Sequence, residues 1–129
     1  MSNQYLIEKS LKLRQDTFKA FIDHGEAHLG GSFSMIEILL AVHEEVIEPE
    51  DKFILSKAHA SYPYCIYLRE KGFNIPIKTH FELDPENNIH CTTGSLGHGL
   101  PISVGMAMAR KMQNKQGNIY VLMSDGECQ

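Results

Sequence analysis

Ile119-Tyr120-Val121-Leu122-Met123 runs directly into Ser124-Asp125-Gly126-Glu127. Five apolar residues between a Gly117-Asn118 turn and an Asp-Gly pair predict a short buried strand. Just upstream, Val104, Met108 and Met112 recur at helical spacing, and Pro101 suits the first turn of that helix. Further back, Phe53-Ile54-Leu55 is a second short apolar run, preceded by the charged Glu50-Asp51-Lys52. A helix predicted from Ser61 to Lys71, closed by Gly72, follows it. Strands that alternate with helices predict an α/β domain with a mostly parallel sheet flanked by helices.

The first segment also reads as a helix. Ile7, Leu11, Phe18, Phe21 and Ile22 recur at steps of three and four with Arg14 filling the gap, and Gly25 is the expected stop. Ser34-Met35-Ile36-Glu37 has the S-x-x-E pattern of a capping box, opening a helix that carries Ile38, Leu39, Val42 and Val46 and ends at Pro49. Residues 73–93 show no period and hold two prolines. A loop of that length in a small domain is functional or disordered.

A chain of 129 residues that is 43% apolar and 22% charged is one globular domain or a piece of one. Its net charge of −4 argues against a broad surface for nucleic acid. No apolar run approaches the length of a membrane span. The start Met1-Ser2-Asn3-Gln4-Tyr5 lacks the charged and apolar parts of a signal peptide, so a cytoplasmic location is expected. Cys65, Cys91 and Cys128 are odd in number and never spaced C-x-x-C, which disfavours a disulfide framework or a zinc site. The chain shows no internal repeat and no low-complexity tract.

In open α/β sheets ligands bind beyond the carboxyl ends of the strands, where His59 and Asp125 are predicted to lie. An Asp at that place can hold a divalent cation beside phosphate oxygens, and Gly126 would let the backbone approach a phosphate. A simple Asp-Gly turn is the plainer reading of the same residues. The glycines of Gly94-Ser95-Leu96-Gly97-His98-Gly99 fall as G-x-x-G-x-G, which is neither a Rossmann fingerprint nor a P-loop. The segment is a turn into a helix, or a loop offering backbone groups to a flat heterocycle. Of seven histidines, His28, His59 and His98 sit on loops, where catalytic residues concentrate. His43 reads as a packing or surface residue of the second helix. No H-E-x-x-H is present.

Together these segments resemble transketolases. Ala27-His28-Leu29-Gly30-Gly31-Ser32 resembles their Gly-His-Pro-Gly-Gly-Ser loop, and Phe53-Ile54-Leu55-Ser56-Lys57-Ala58-His59 resembles Phe-Val-Leu-Ser-Lys-Gly-His. Thr92-Thr93-Gly94-Ser95-Leu96-Gly97-His98-Gly99-Leu100 resembles Thr-Thr-Gly-Ser-Leu-Gly-Gln-Gly, and Ser124-Asp125-Gly126-Glu127 resembles the Gly-Asp-Gly-Glu that opens the thiamine-diphosphate motif. The resemblance implies the N-terminal part of a thiamine-diphosphate-binding domain over residues 1–129, incomplete at its C-terminus, with thiamine diphosphate and Mg²⁺ as cofactors.

It also implies roles. Asp125 would bind Mg²⁺ and Gly126 would meet the diphosphate. His59 would be catalytic and contact the cofactor, and Gly94 and Leu96 would meet its aminopyrimidine. His28 would be catalytic and bind the ketose, with His98 also facing substrate. The reaction implied is transfer of a two-carbon ketol unit from a ketose to an aldose. The chain departs from the family pattern at Ala27, Leu29, Ala58, His98 and Ser124, and His80 or His90 could stand in for a further family histidine. In the family, an Asn ligand of the metal and a Glu on a second domain lie beyond Gln129. The expectation is therefore a transferase that acts only with a complementary C-terminal section or subunit, on a sugar or sugar phosphate, as an oligomer. A non-catalytic truncated paralogue that binds partners is the alternative. The deoxyxylulose-phosphate synthase class, with the same cofactor, ranks lower.

Overall fold

The computed structural model describes residues 3–128, which form two compact units: 3–47 with 59–79, and 48–58 with 80–128.

The first unit is helical. It contains α1 (Asn3–His24), α2 (Leu29–Phe33), α3 (Ile36–Ala41) and α4 (Tyr62–Glu70), with a single π-helical turn at Val42–Val46. Helix α4 is its centre. Residues Tyr62 to Leu68 are all buried, so the helix is apolar on every side, as a core helix must be. Its end follows the sequence: Gly72 has φ +94°, and the Phe73 N–H reaches back to the Leu68 carbonyl at 3.1 Å.

Helix α1 lies where its periodicity predicts and stops at Gly25, whose φ is +74°. Its apolar stripe, however, faces outward: Ile7 is 62% exposed, Leu11 58% and Ile22 65%. The face packed on α4 and α3 is Ser10, Leu13, Thr17 and Ala20. Small side chains let helix backbones approach closely, and the Ser10 hydroxyl is satisfied by the Glu37 carboxylate at 2.6 Å. The predicted capping box at Ser34 is not made. Ser34 ends α2 and donates to the Gly31 carbonyl at 3.0 Å, while Glu37 is taken by Ser10 and Arg14.

Beyond α3 the Glu44 carboxylate accepts from Lys9 at 2.6 Å, Lys71 at 2.9 Å and the Tyr67 hydroxyl at 2.9 Å. Burial would raise its pKa, but these three partners together lower it to about 2.

The second unit carries the sheet: β1 (Lys52–Leu55), α5 (Gly99–Met112) and β2 (Ile119–Leu122). The strands are parallel, with Lys52 opposite Ile119 and Leu55 opposite Leu122. Both strands start at one carboxylate. Asp51 accepts the Asn118 N–H at 2.6 Å and the Glu48 N–H at 3.0 Å, and these bonds hold its pKa below the usual carboxylate range. Arg110 of α5 donates to the Glu50 carbonyl at 2.7 Å, and a Cβ on Gly117 would lie 2.5 Å from that same oxygen.

The architecture is therefore α/β, helices with a two-stranded parallel sheet among the described residues. Within residues 73–93, the part from His80 onward folds back on itself. Asp84 and Ile89 form an antiparallel bridge, and the Thr93 N–H reaches the Phe81 carbonyl at 3.1 Å. No helix among the described residues is long and apolar enough to cross a membrane.

Candidate functional site

The predicted site residues fall into two groups, one in each unit. In the first unit, His28 precedes α2 and His59 lies in the short turn Ala58–Ala60. The His28 N–H donates to the His59 carbonyl at 3.2 Å, and their rings meet edge-on with centroids 4.9 Å apart. The Gly31 backbone runs beside this pair, since a Cβ on it would sit 3.6 Å from His59 Nε2. The structure thus brings together two histidines that are 31 positions apart in the chain.

In the second unit, the carboxyl ends of β1 and β2 and the Gly94–Gly99 loop meet. Ser56, one residue past β1, donates its N–H to the Leu122 carbonyl at 2.9 Å and so extends the parallel ladder. Gly99 is pressed against Ser56, so closely that a Cβ would lie 2.3 Å from Ser56 Oγ. After β2 the chain turns through Asp125–Cys128. Asp125 and Gly126 are both exposed, and a Cβ on Gly126 would find no atom within 4 Å.

Glu127, which no sequence expectation singled out, is buried at the centre of this group. Its Oε1 accepts from Ser56 Oγ at 2.5 Å and from the Gly97 N–H at 3.1 Å. Its Oε2 accepts from the Ser124 N–H at 2.8 Å and Ser124 Oγ at 3.1 Å. Burial works against the charged carboxylate, yet these donors outweigh it and keep its pKa below normal. Lys57 is also buried. Burial lowers its ammonium pKa, against the pull of the negative charges of Glu127 and Asp125.

Leu96 and His98 are exposed on the Gly94–Gly99 loop, and His98 precedes α5 without capping it through its side chain. Gly94 lies against His80, with a Cβ position 2.8 Å from His80 Cδ2. His80 itself holds a left-handed φ of +58°. His90 is instead bound to Asn88 at 2.9 Å within the Asp84–Ile89 turn. Of the two histidines considered as stand-ins, His80 is the one beside the glycine loop.

A family model described as 1-deoxy-D-xylulose-5-phosphate synthase matches residues 1–128. The chain belongs to this transketolase-type family. It corresponds to the family's N-terminal thiamine-diphosphate domain. An apulose-4-phosphate transketolase subunit of Phocaeicola vulgatus is 32% identical over 121 residues, which cover 78% of this chain and 43% of that protein. The 6-deoxy-6-sulfo-D-fructose transketolase subunit SqwG of a Clostridium species is 32% identical over 136 residues, covering 89% of this chain and 50% of that protein. Ferredoxin fas2 of Rhodococcoides fascians is 32% identical over 124 residues, covering 79% of this chain and 41% of that protein. The transketolase-type chain thus spans half or less of the length of these relatives.

Proposed function

We propose that this chain supplies the diphosphate- and Mg²⁺-binding part of a transketolase-like enzyme. With a complementary chain, that enzyme would transfer a two-carbon ketol unit from a ketose to an aldose. The observation that carries the reading is the Asp125-Gly126 turn at the carboxyl end of β2, set beside the Gly94–Gly99 loop. Mg²⁺ is commonly held by one or two carboxylates together with phosphate oxygens. The donor set here fits that mode. Asp125 offers one exposed carboxylate, the space at Gly126 is open, and no three His, Cys, Asp or Glu side chains among the described residues are grouped to hold a metal without help.

Thiamine diphosphate, when bound, would supply the carbon nucleophile that the protein's own side chains lack. The chain's residues would bind and orient. Asp125 would ligate the metal, and the Gly126 backbone would approach the diphosphate. The backbones of Gly94 and Leu96 would receive the aminopyrimidine, and His98 would face the sugar. His28 would hydrogen-bond the ketose and His59 the diphosphate or ketose. Relatives named as transketolase subunits favour a complementary partner for this chain too.

The test mixes the chain with a complementary transketolase C-terminal subunit. Mg²⁺-dependent binding of thiamine diphosphate is measured by calorimetry, and ketol transfer from a ketose to an aldose by product analysis. Absence of both in every combination would overturn the reading. A second reading is favoured by the family model's own description: formation of 1-deoxy-D-xylulose 5-phosphate. That product in place of ketol transfer would select it. The relatives named as transketolase subunits are 32–34% identical and those named as the synthase 26–29%, which ranks ketol transfer first. The exposed stripe of α1, with Leu100, Val104 and Met108 of α5, favours partner binding. Partner binding without cofactor affinity would leave the chain a non-catalytic interaction module.

A further inference from the structure

We infer that Glu127 is the positioning residue of the second-unit site, an inference that rests on the function proposed above. Its carboxylate fixes the Gly94–Gly99 loop and the Ser124-Asp125-Gly126 turn to the end of β1 before any metal-bound diphosphate arrives.

The geometry divides the two oxygens without remainder. Oε1 takes Ser56 Oγ and the Gly97 N–H, while Oε2 takes the Ser124 N–H and Ser124 Oγ. The partners lie 71, 30 and 3 positions away, so one side chain ties three separate segments. The contact with the loop depends on Gly97, whose φ of +78° suits glycine. The contact with the turn is reinforced by Ser124, whose hydroxyl adds a donor where the resembling motif has glycine. Groups that hold metal-binding residues in place in this way are worth about 10–100-fold in affinity.

Glutamine is the discriminating substitution. Each oxygen of Glu127 faces one backbone N–H, of Gly97 or of Ser124. Whichever way a glutamine amide is turned, its NH₂ opposes a backbone donor that cannot reverse. Volume is unchanged, so packing is not the variable.

The test compares the full chain with Glu127→Gln and Ser124→Ala, each mixed with the complementary subunit. Hydrogen exchange of backbone amides and Mg²⁺-dependent binding of thiamine diphosphate are both measured. The expected result for Glu127→Gln is faster exchange at Gly97 and Ser124, unchanged protection in the β1–β2 ladder, and a loss of cofactor affinity of about 10–100-fold. Ser124→Ala should show the same pattern to a smaller degree, and carries the test if Glu127→Gln does not fold. Wild-type affinity in both variants overturns the inference. If the unaltered chain binds no cofactor, the proposed function fails. The exchange data then decide separately whether Glu127 holds the loop and the turn, and unchanged exchange at Gly97 and Ser124 rejects it.

Discussion

A Cβ placed on Gly99 would lie 2.3 Å from Oγ and 2.9 Å from Cα of Ser56. The second distance matters most, because rotating the serine side chain cannot relieve it. The first turn of α5 and the end of β1 must therefore move apart if residue 99 gains a side chain. Ser56 also carries a hydrogen bond to Glu127 and one to the Leu122 carbonyl, so the displacement would reach both strands. Gly99→Ala should lower stability by about 1–3 kcal/mol, the usual cost of overpacking. Denaturant unfolding measures it. A midpoint equal to wild type would show that the helix start gives way freely.

The paired rings of His28 and His59 predict a different kind of defect. His28 is exposed and His59 partly so, and glutamine retains polarity without the imidazole's proton chemistry. If the proposed roles hold, His28→Gln and His59→Gln should leave the unfolding midpoint nearly unchanged. In the reconstituted enzyme each should lower kcat by about 10²–10⁴-fold, the range for losing a positioned acid or base. Steady-state kinetics decide this, and a change confined to KM would reassign the histidine to substrate binding alone.

Asp125 is exposed at the end of β2, so its replacement by asparagine should cost the fold little. Its effect should fall on the metal. Asn offers one neutral oxygen where Mg²⁺ prefers a carboxylate. Asp125→Asn should shift the Mg²⁺ requirement for cofactor binding to higher concentration, by about tenfold or more, with saturation recoverable at high Mg²⁺. A variant whose Mg²⁺ titration overlays that of wild type would remove Asp125 from the metal's ligands.

Two copies of one sequence pattern show how far the chain can be read. Ser34-x-x-Glu37 looks like a capping box, but Glu37 is drawn away by Ser10 and Arg14 of α1, which no local pattern reveals. Ser124-x-x-Glu127 has the same spacing, and there Glu127 does reach back to the Ser124 N–H. Its further bonds to Ser56 and Gly97 depend on tertiary approach. The positions of α1, α4 and α5, the parallel strands and the Gly25 and Gly72 stops were legible because they rest on local periodicity and backbone freedom, whereas α2 (Leu29–Phe33) falls where residues 26–32 read as a loop, its two glycines hiding the helix. The buried face of α1 was not. Ser10, Leu13, Thr17 and Ala20 pack inward, three of them small, while Ile7, Leu11, Phe18 and Ile22 face away. The neighbouring placement of His28 and His59 was legible only through the resemblance of the loops that carry them.

His43 gives the first unit a pH dependence of its own. Its ring lies 5.5 Å from that of Tyr64 and 5.0 Å from that of Tyr67, with Nδ1 3.0 Å from the Leu39 carbonyl. Burial lowers its pKa from 6.5 to about 4, with the Leu39 carbonyl and Glu44 pulling upward and Lys71 downward. The folded chain thus resists a proton that the unfolded chain accepts. Between pH 6.5 and 4 the unfolded state binds more protons, so stability falls as pH falls through this window. The full shift corresponds to about 3 kcal/mol. His90, half-buried near Lys52 and Arg110, shifts in the same direction with more solvent around it. Glu44 contributes at lower pH, losing its ion-paired form between its ordinary 4.5 and about 2. His43→Leu should therefore flatten the loss of stability between about pH 6.5 and 4.5 while leaving the steeper fall below about 4.5 in place. Urea unfolding at half-unit pH steps would show this, and parallel wild-type and variant curves across the upper window would mean that His43 takes up its proton without cost.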